Sequence, residues 1–195
     1  LVPVPLHPLL ADRWSARGFD AAATISDDHL GAILEAGRWA PTGGGRQPVR
    51  FVVGRRGDGT FTGLVDGLKR GNQSWAPAAA ALILLCTDDL PDEPKMHDYA
   101  TIDVGLAAGQ MIVQAQADGW VAHPMGGFRA PDMVARFSIP ETARPLLMLA
   151  IGKLADPTTL AEDIAERDRR ERTRLALSEV AFSETWGRPF THPTR

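Results

Sequence analysis

The chain has 195 residues, 44% of them hydrophobic and 23% charged, which are ordinary globular values at a length that supports one substantial core. A formal net charge of −3 argues against a surface built to neutralise nucleic-acid phosphates. The single cysteine, Cys86, excludes a disulfide framework or a cysteine-rich metal site and points to a reducing compartment, so a cytoplasmic protein is expected.

The opening Leu1-Val2-Pro3-Val4-Pro5-Leu6 lacks a basic start and is broken by prolines, so no secretory signal is expected. No apolar run is long enough to span a bilayer, and no membrane role is expected. A short helix is expected over residues 7–14. Ser26 reads as an N-cap, with Asp27 and Asp28 in the first turn, where the helix dipole favours negative charge. Leu30, Ile33, Leu34 and Gly37 continue that helix until Pro41 stops it. Thr42-Gly43-Gly44-Gly45-Arg46-Gln47-Pro48 is a loop, residues 50–53 are a short strand ended by Gly54, and Asp58-Gly59 is a turn. Phe61, Leu64, Val65 and Leu68 then mark another helix face.

Residues 78–86 read as a buried central strand, although the alanines there also suit a helix. A loop over 91–94 leads into the longest helical pattern, residues 99–118, with Ile102, Leu106, Gly109, Ile112 and Val113 on one face. Its small residues Gly105, Ala107, Ala108 and Gly109 allow close helix approach, so that face is either core or a subunit interface. A strand over 120–122, a glycine-containing loop over 124–128, a short helix over 131–137 and a buried strand over 146–151 follow. Residues 162–174 carry both signs of charge and read largely as a solvated, ion-paired helix face. Helices and strands interspersed around one sheet make a single domain of the α/β or α+β class, with a core over 6–182 and a tail over 183–195.

Two blocks carry distinctive chemistry. Arg13-Trp14-Ser15-Ala16-Arg17 and Arg172-Thr173-Arg174 offer forked guanidinium donors and a hydroxyl, a set suited to a phosphate monoester. The glycines of 43–45 let backbone N–H groups approach a flat or charged ligand, but the spacing matches neither nucleotide-binding glycine fingerprint. The five histidines lack ligand-like spacing, so no metal site is expected. His97-Asp98-Tyr99 reads as a helix start rather than an acid–base relay, His123 as a structural donor, and Cys86 as an inert small hydrophobe. Trp39 and Trp75 read as packing in the core or at a subunit contact.

The order of these pieces resembles the FMN-dependent nitroreductase family over essentially the whole chain. It runs Arg13-x-Ser15-x-Arg17-x-Phe19, Arg38-Trp39-Ala40-Pro41-Thr42, Gln47-Pro48, Arg50-Phe51-Val52-Val53, Asn72 and Asp103-x-Gly105. It continues through Pro124-x-x-Gly127-Phe128, Gly152-Lys153-Leu154, Arg172-x-Arg174 and Leu177-x-Glu179-Val180. The resemblance implies an α+β fold, a three-layer α/β/α sandwich around a mostly antiparallel sheet. It also implies a homodimer with exchanged terminal extensions and FMN at the subunit interface.

On that resemblance Arg13, Trp14, Ser15 and Arg17 match phosphate and ribityl contacts, completed by Arg172 and Arg174. Pro41, Thr42 and Gly43 match a segment beside the flavin, often supplied by the other subunit. Gln47 and Asn72 match side-chain contacts to the ribityl or pyrimidine region. Pro124, Met125, Gly126 and Gly127 match the loop against the ring, where the backbone N–H groups of Gly126 and Gly127 are the candidates to meet flavin N5. No side chain has a certain catalytic role. The implied activity takes a hydride from NADH or NADPH and passes two electrons to a nitroaromatic, quinone or similar small-molecule acceptor. The alternative is FMN binding without turnover, as a storage or regulatory module. A specialised branch carrying out dehydrogenation or reductive dehalogenation would call for an added lid motif, and the sequence shows none. Three departures stand out: Gly45 where an asparagine is common, Val49 where an aromatic is frequent, and Gly126 where an acidic residue is often found. Arg46 is the candidate to stabilise anionic reduced flavin.

Overall fold

A computed structural model describes residues 5–88 and 94–190. The strands are β1 (Val49–Arg55), β2 (Ala81–Asp88), β3 (Val121–Met125) and β4 (Ala143–Gly152). The helices are α1 (Pro8–Ala11), α2 (Asp27–Arg38), α3 (Gly59–Asp66), α4 (Arg70–Gln73), α5 (Pro94–Ala117), α6 (Ala130–Phe137), α7 (Glu162–Asp168) and α8 (Leu177–Val180). The strands form one sheet in the order β1-β2-β4-β3, and every pair is antiparallel.

The apolar run in the middle of the chain determines the layers. Residues 81–87 of β2 are all buried, because the strand is covered on both faces and needs no polar alternation. Leu82, Leu84 and Cys86 meet Phe61 and Leu64 of α3, Met133 of α6 and Trp75 on one side. Ala81, Ile83 and Leu85 meet Leu30 and Ile33 of α2 and Val104, Ala108 and Met111 of α5 on the other. The result is the expected α+β arrangement of helices on both faces of an antiparallel sheet. The Ser26 cap of α2 is formed, its side chain accepting the His29 N–H at 3.3 Å, and Asp58 caps α3 by accepting the Phe61 N–H at 2.6 Å.

Several boundaries move for local reasons. The first helix shrinks to α1, which begins at a proline, with the His7 ring accepting the Leu9 N–H. Strand β2 starts at Ala81 because Pro77 lies in a 3₁₀ turn over Ala76–Ala78. Strand β3 continues through Met125, so Pro124 and Met125 belong to a strand rather than to the loop. Pro124 is tolerated there because β3 is an edge strand. Strand β4 starts three residues earlier than expected, at Ala143. Of the loop over 91–94, residues 91–93 lie outside the described residues, and Pro94 opens α5. Residues 1–4 of the opening segment and 191–195 of the tail also lie outside them. In the charged tract only α7 is helical.

Helix α5 turns a different face inward from the one its large side chains marked. Ile102 is 56% exposed and Leu106 42% exposed, while Asp103, Val104, Ala107, Ala108, Met111 and Ala115 are buried. Small alanines let the helix lie close to the sheet, and its larger aliphatics face away. No helix among the described residues is long and apolar enough to cross a membrane.

Burial pushes the Cys86 thiol up to about 11. The unfolded thiol ionises near ~8.5, so Cys86 favours folding fully below that pH and loses the contribution as pH rises toward the folded value. Native protein at pH 8 should therefore resist an aromatic disulfide reagent that labels it rapidly in denaturant. Equal labelling rates in the two states would contradict the buried position.

Candidate functional site

The N-terminal arginine segment runs outside the sheet, so its backbone groups need partners from elsewhere. His123 of β3 donates from Nδ1 to the Ala16 carbonyl at 2.9 Å. The Asp168 carboxylate, in the last turn of α7, accepts the Arg17 N–H at 3.0 and 3.1 Å and the Gly18 N–H at 2.7 Å. The Gly18 carbonyl accepts the Ala155 N–H at 2.9 Å. Arg172 donates to the Arg13 carbonyl at 2.7 Å and to the Ala11 carbonyl at 2.9 Å. The side chains are left differently placed: Arg13, Ser15 and Arg17 are half-buried. Neither the Arg13 and Arg17 guanidinium groups nor the Ser15 hydroxyl has a hydrogen-bond partner among the described residues. Two forks and a hydroxyl without internal acceptors fit a phosphate group.

A buried aromatic pair connects this segment to the glycine loop. Trp75 stacks on His123 with ring centroids 4.4 Å apart and meets Phe19 at 5.9 Å. The Arg17 guanidinium lies 5.9 Å from the Trp75 ring centre. The Trp75 indole donates to the Gly71 carbonyl at 3.1 Å, next to Asn72. Asn72 donates to the Gly127 carbonyl at 3.1 Å, and the Lys69 N–H shares that oxygen at 2.9 Å. A side chain at Gly127 would put its Cβ 2.6 Å from the Asn72 amide nitrogen. The N–H groups of Gly126 and Gly127 donate to no described residue. These contacts define a patch by linking Arg17, Asn72 and Gly127 through Trp75; Arg13 and Ser15 share its N-terminal segment and Gly126 its loop, and Trp14 and Pro124 are half-buried. The Met125 side chain is buried in the core, so only its backbone lies near the loop. Arg172 reaches the patch as a brace on the backbone, and Arg174 donates to the neighbouring Thr173 carbonyl at 2.7 Å.

Pro41, Thr42, Gly43 and Gln47 form a second group beside α5. Buried Asp103 accepts the Gly43 N–H at 3.1 and 3.2 Å. Gly44 and Gly45 adopt φ of 60° and 69°, in the left-handed region that glycine enters freely and asparagine tolerates. Gln47 is left-handed too, at φ 51°, and its carbonyl accepts from Arg50 at 2.7 Å. A cleft of about 240 Å³ opens between Gly43, Arg46, Tyr99 and Asp103. Trp39, beside this loop, is 73% exposed rather than core, whereas Trp75 is core. No hydrogen bond among the described residues joins the two groups.

Sequence reasoning missed Asp103 and Asp168 as supports. For Asp168 the one available signal is its position, since a carboxylate in the last turn of a helix opposes the dipole.

Comparisons with known proteins agree on the kind of molecule. The Nitroreductase family model matches residues 10–60 and 55–153. An uncharacterised 15.4 kDa protein of Mycolicibacterium smegmatis is 48% identical over 149 residues, covering 72% of this chain and 99% of its own. A Streptomyces coelicolor protein provisionally named NADH dehydrogenase/NAD(P)H nitroreductase is 28% identical over 181 residues, 80% of this chain and 89% of its own. Among solved structures, an oxidoreductase containing FMN superimposes with a TM-score of 0.85 at 33% identity over 95% of each chain. A protein of Exiguobacterium sibiricum in complex with FMN has the same fold, with a TM-score of 0.76 at 22% identity over 93% of this chain and 98% of its own.

Burial pushes the His123 imidazole below its ordinary 6.5, against the hydrogen bond to Ala16, and the Arg17 charge pushes in the same direction as burial. The folded value lies below the unfolded one, so His123 stabilises the fold above about pH 6.5 and loses that contribution as pH falls below it. An imidazole NMR titration should place its midpoint below 6.5. A midpoint at or above 6.5 would contradict the buried, neutral assignment.

Proposed function

The chain belongs to the nitroreductase family, and on that premise we propose that it is an FMN-dependent oxidoreductase driven by NADH or NADPH. The observation that carries the reading is the half-buried donor set of Arg13, Ser15 and Arg17, which has no acceptor of its own among the described residues. These three side chains hold the FMN phosphate. Arg172 keeps the backbone of that segment in place, and Arg174 adds positive charge nearby. Asn72 holds the Gly127 carbonyl, so the Gly126 and Gly127 N–H groups are presented together to the flavin ring. When bound, FMN supplies the hydride and two-electron chemistry. The protein's part is orientation and fixed dipoles.

In this reading the active unit is a homodimer, and the second group of residues supports it. Within one chain no hydrogen bond among the described residues joins Pro41, Thr42, Gly43 and Gln47 to the phosphate patch, and a partner's copy of them completes the site. The outward face of α5, with Ile102 and Leu106, and the exposed Leu175, Leu177, Val180 and Trp186 of the C-terminal arm supply apolar surface for that contact. Arg46, beside Gly45 at the mouth of the cleft, stabilises the reduced flavin. The electron acceptor is a nitroaromatic, a quinone or a similar small molecule.

The test is the visible spectrum of purified protein, freed of loose flavin, before and after anaerobic NADH or NADPH. A flavin band that bleaches is the expected result. A retained flavin that stays oxidised with both donors would favour binding without turnover. A protein that holds no flavin even after FMN is added back would overturn the reading.

A further inference from the structure

We infer that Asp168 is a positioning residue for the phosphate contacts and, through them, the determinant of a preference for FMN over unphosphorylated flavin. The inference rests on the FMN reading above and goes beyond it in assigning a residue that never touches the ligand.

Three features lead to it. First, Asp168 occupies the last turn of α7, where the helix dipole disfavours a carboxylate. Ile164 and Ala165 anchor the helix by burial, so the carboxylate is held there rather than swung into solvent. Second, both carboxylate oxygens face backbone N–H groups some 150 positions away in sequence. The contacts to Arg17 and Gly18, at 2.7 to 3.1 Å, are charge-assisted and offset the unfavourable placement. Third, Gly18 is shaped for this contact. A Cβ there would lie 3.0 Å from the Asp168 carboxylate and 2.3 Å from the Leu160 side chain, so only a glycine lets the two close in.

The consequence is chemical as well as mechanical. Two successive backbone N–H groups facing one anion make a small anion-binding nest. Here that nest is already filled by the protein's own carboxylate, so an incoming phosphate is left to the side chains of Arg13, Ser15 and Arg17. Those side chains project from a backbone locked at Ala16 by His123, at Arg17 and Gly18 by Asp168, and at Arg13 by Arg172. Loss of Asp168 frees residues 17 and 18 and blurs the position of the donors on either side. The flavin ring, met by Gly126 and Gly127, is not reached by this change.

Equilibrium fluorescence titrations of the full-length apoprotein with FMN and with riboflavin test the assignment, using wild type, Asp168→Ala and Asp168→Asn. Asp168→Ala should weaken FMN about 10–100-fold while riboflavin affinity stays unchanged, since a small misplacement of positioning groups costs on that order. Asp168→Asn keeps one acceptor and should fall between, and it carries the test if the alanine variant does not fold. An equal loss of both ligands would mean a general structural role and would overturn the inference. So would an FMN preference that is undiminished in both variants. A wild-type protein that does not prefer FMN to riboflavin would instead overturn the FMN reading itself, and the inference with it.

Discussion

The segments that form the candidate site leave the sheet, and a backbone that leaves the sheet loses its ladder of partners. A buried amide or carbonyl without a partner costs about 1–3 kcal/mol, so each such group must be met by something else. Here it is met by side chains from remote parts of the chain. His123 and Asp168 hold residues 16–18, Arg172 holds residues 11 and 13, Asn72 holds Gly127, and Asp103 holds Gly43. The shape of the site follows from these contacts, because they fix the backbone and so decide where the uncommitted donors point.

The sheet makes the arrangement possible by placing the supports. Strand β3 lies at an edge and ends at Met125, so the chain departs from the sheet where Gly126 and Gly127 present their N–H groups. The same strand carries His123, whose ring stacks on Trp75 beneath the arginine segment. Helix α7 follows β4 and delivers Asp168 to the other side of that segment. The contact joins the N-terminal and C-terminal parts of the chain, so the backbone under the N-terminal donors depends on C-terminal structure. Helix α5, on the opposite face, serves the Gly43 turn in the same way through Asp103.

How much of this is legible in the sequence depends on whether the signal is local. The central strand is read correctly because burial on both faces leaves an uninterrupted apolar run, and the Ser26 cap is read because cap and helix are adjacent, whereas Asp58 reads only as part of a turn and its capping of α3 emerges from the structure. For α5 the sequence leaves core and subunit interface open, because apolar residues surround the helix and the large Ile102 and Leu106 stand out over the small alanines; within one chain the alanines pack and the larger aliphatics face away. Pro124 reads as loop because proline is rare inside strands, and only the edge position of β3 explains it. The supports are invisible for a different reason. Asp168 and Asp103 pair with backbone amides, which every residue has, so nothing in the partner's identity marks the contact. Arg172 and Asn72 are expected at the site from resemblance, and each is engaged with backbone, which can be seen only in three dimensions.

The most direct measurement is a crystal structure of the protein with FMN. The account places the phosphate within hydrogen-bonding distance of Arg13, Ser15 and Arg17, with the Asp168 carboxylate still on the Arg17 and Gly18 amides and the Gly126–Gly127 turn against the ring. A phosphate seated on the Gly43–Gly45 turn, or one that displaces Asp168 from those amides, would contradict it.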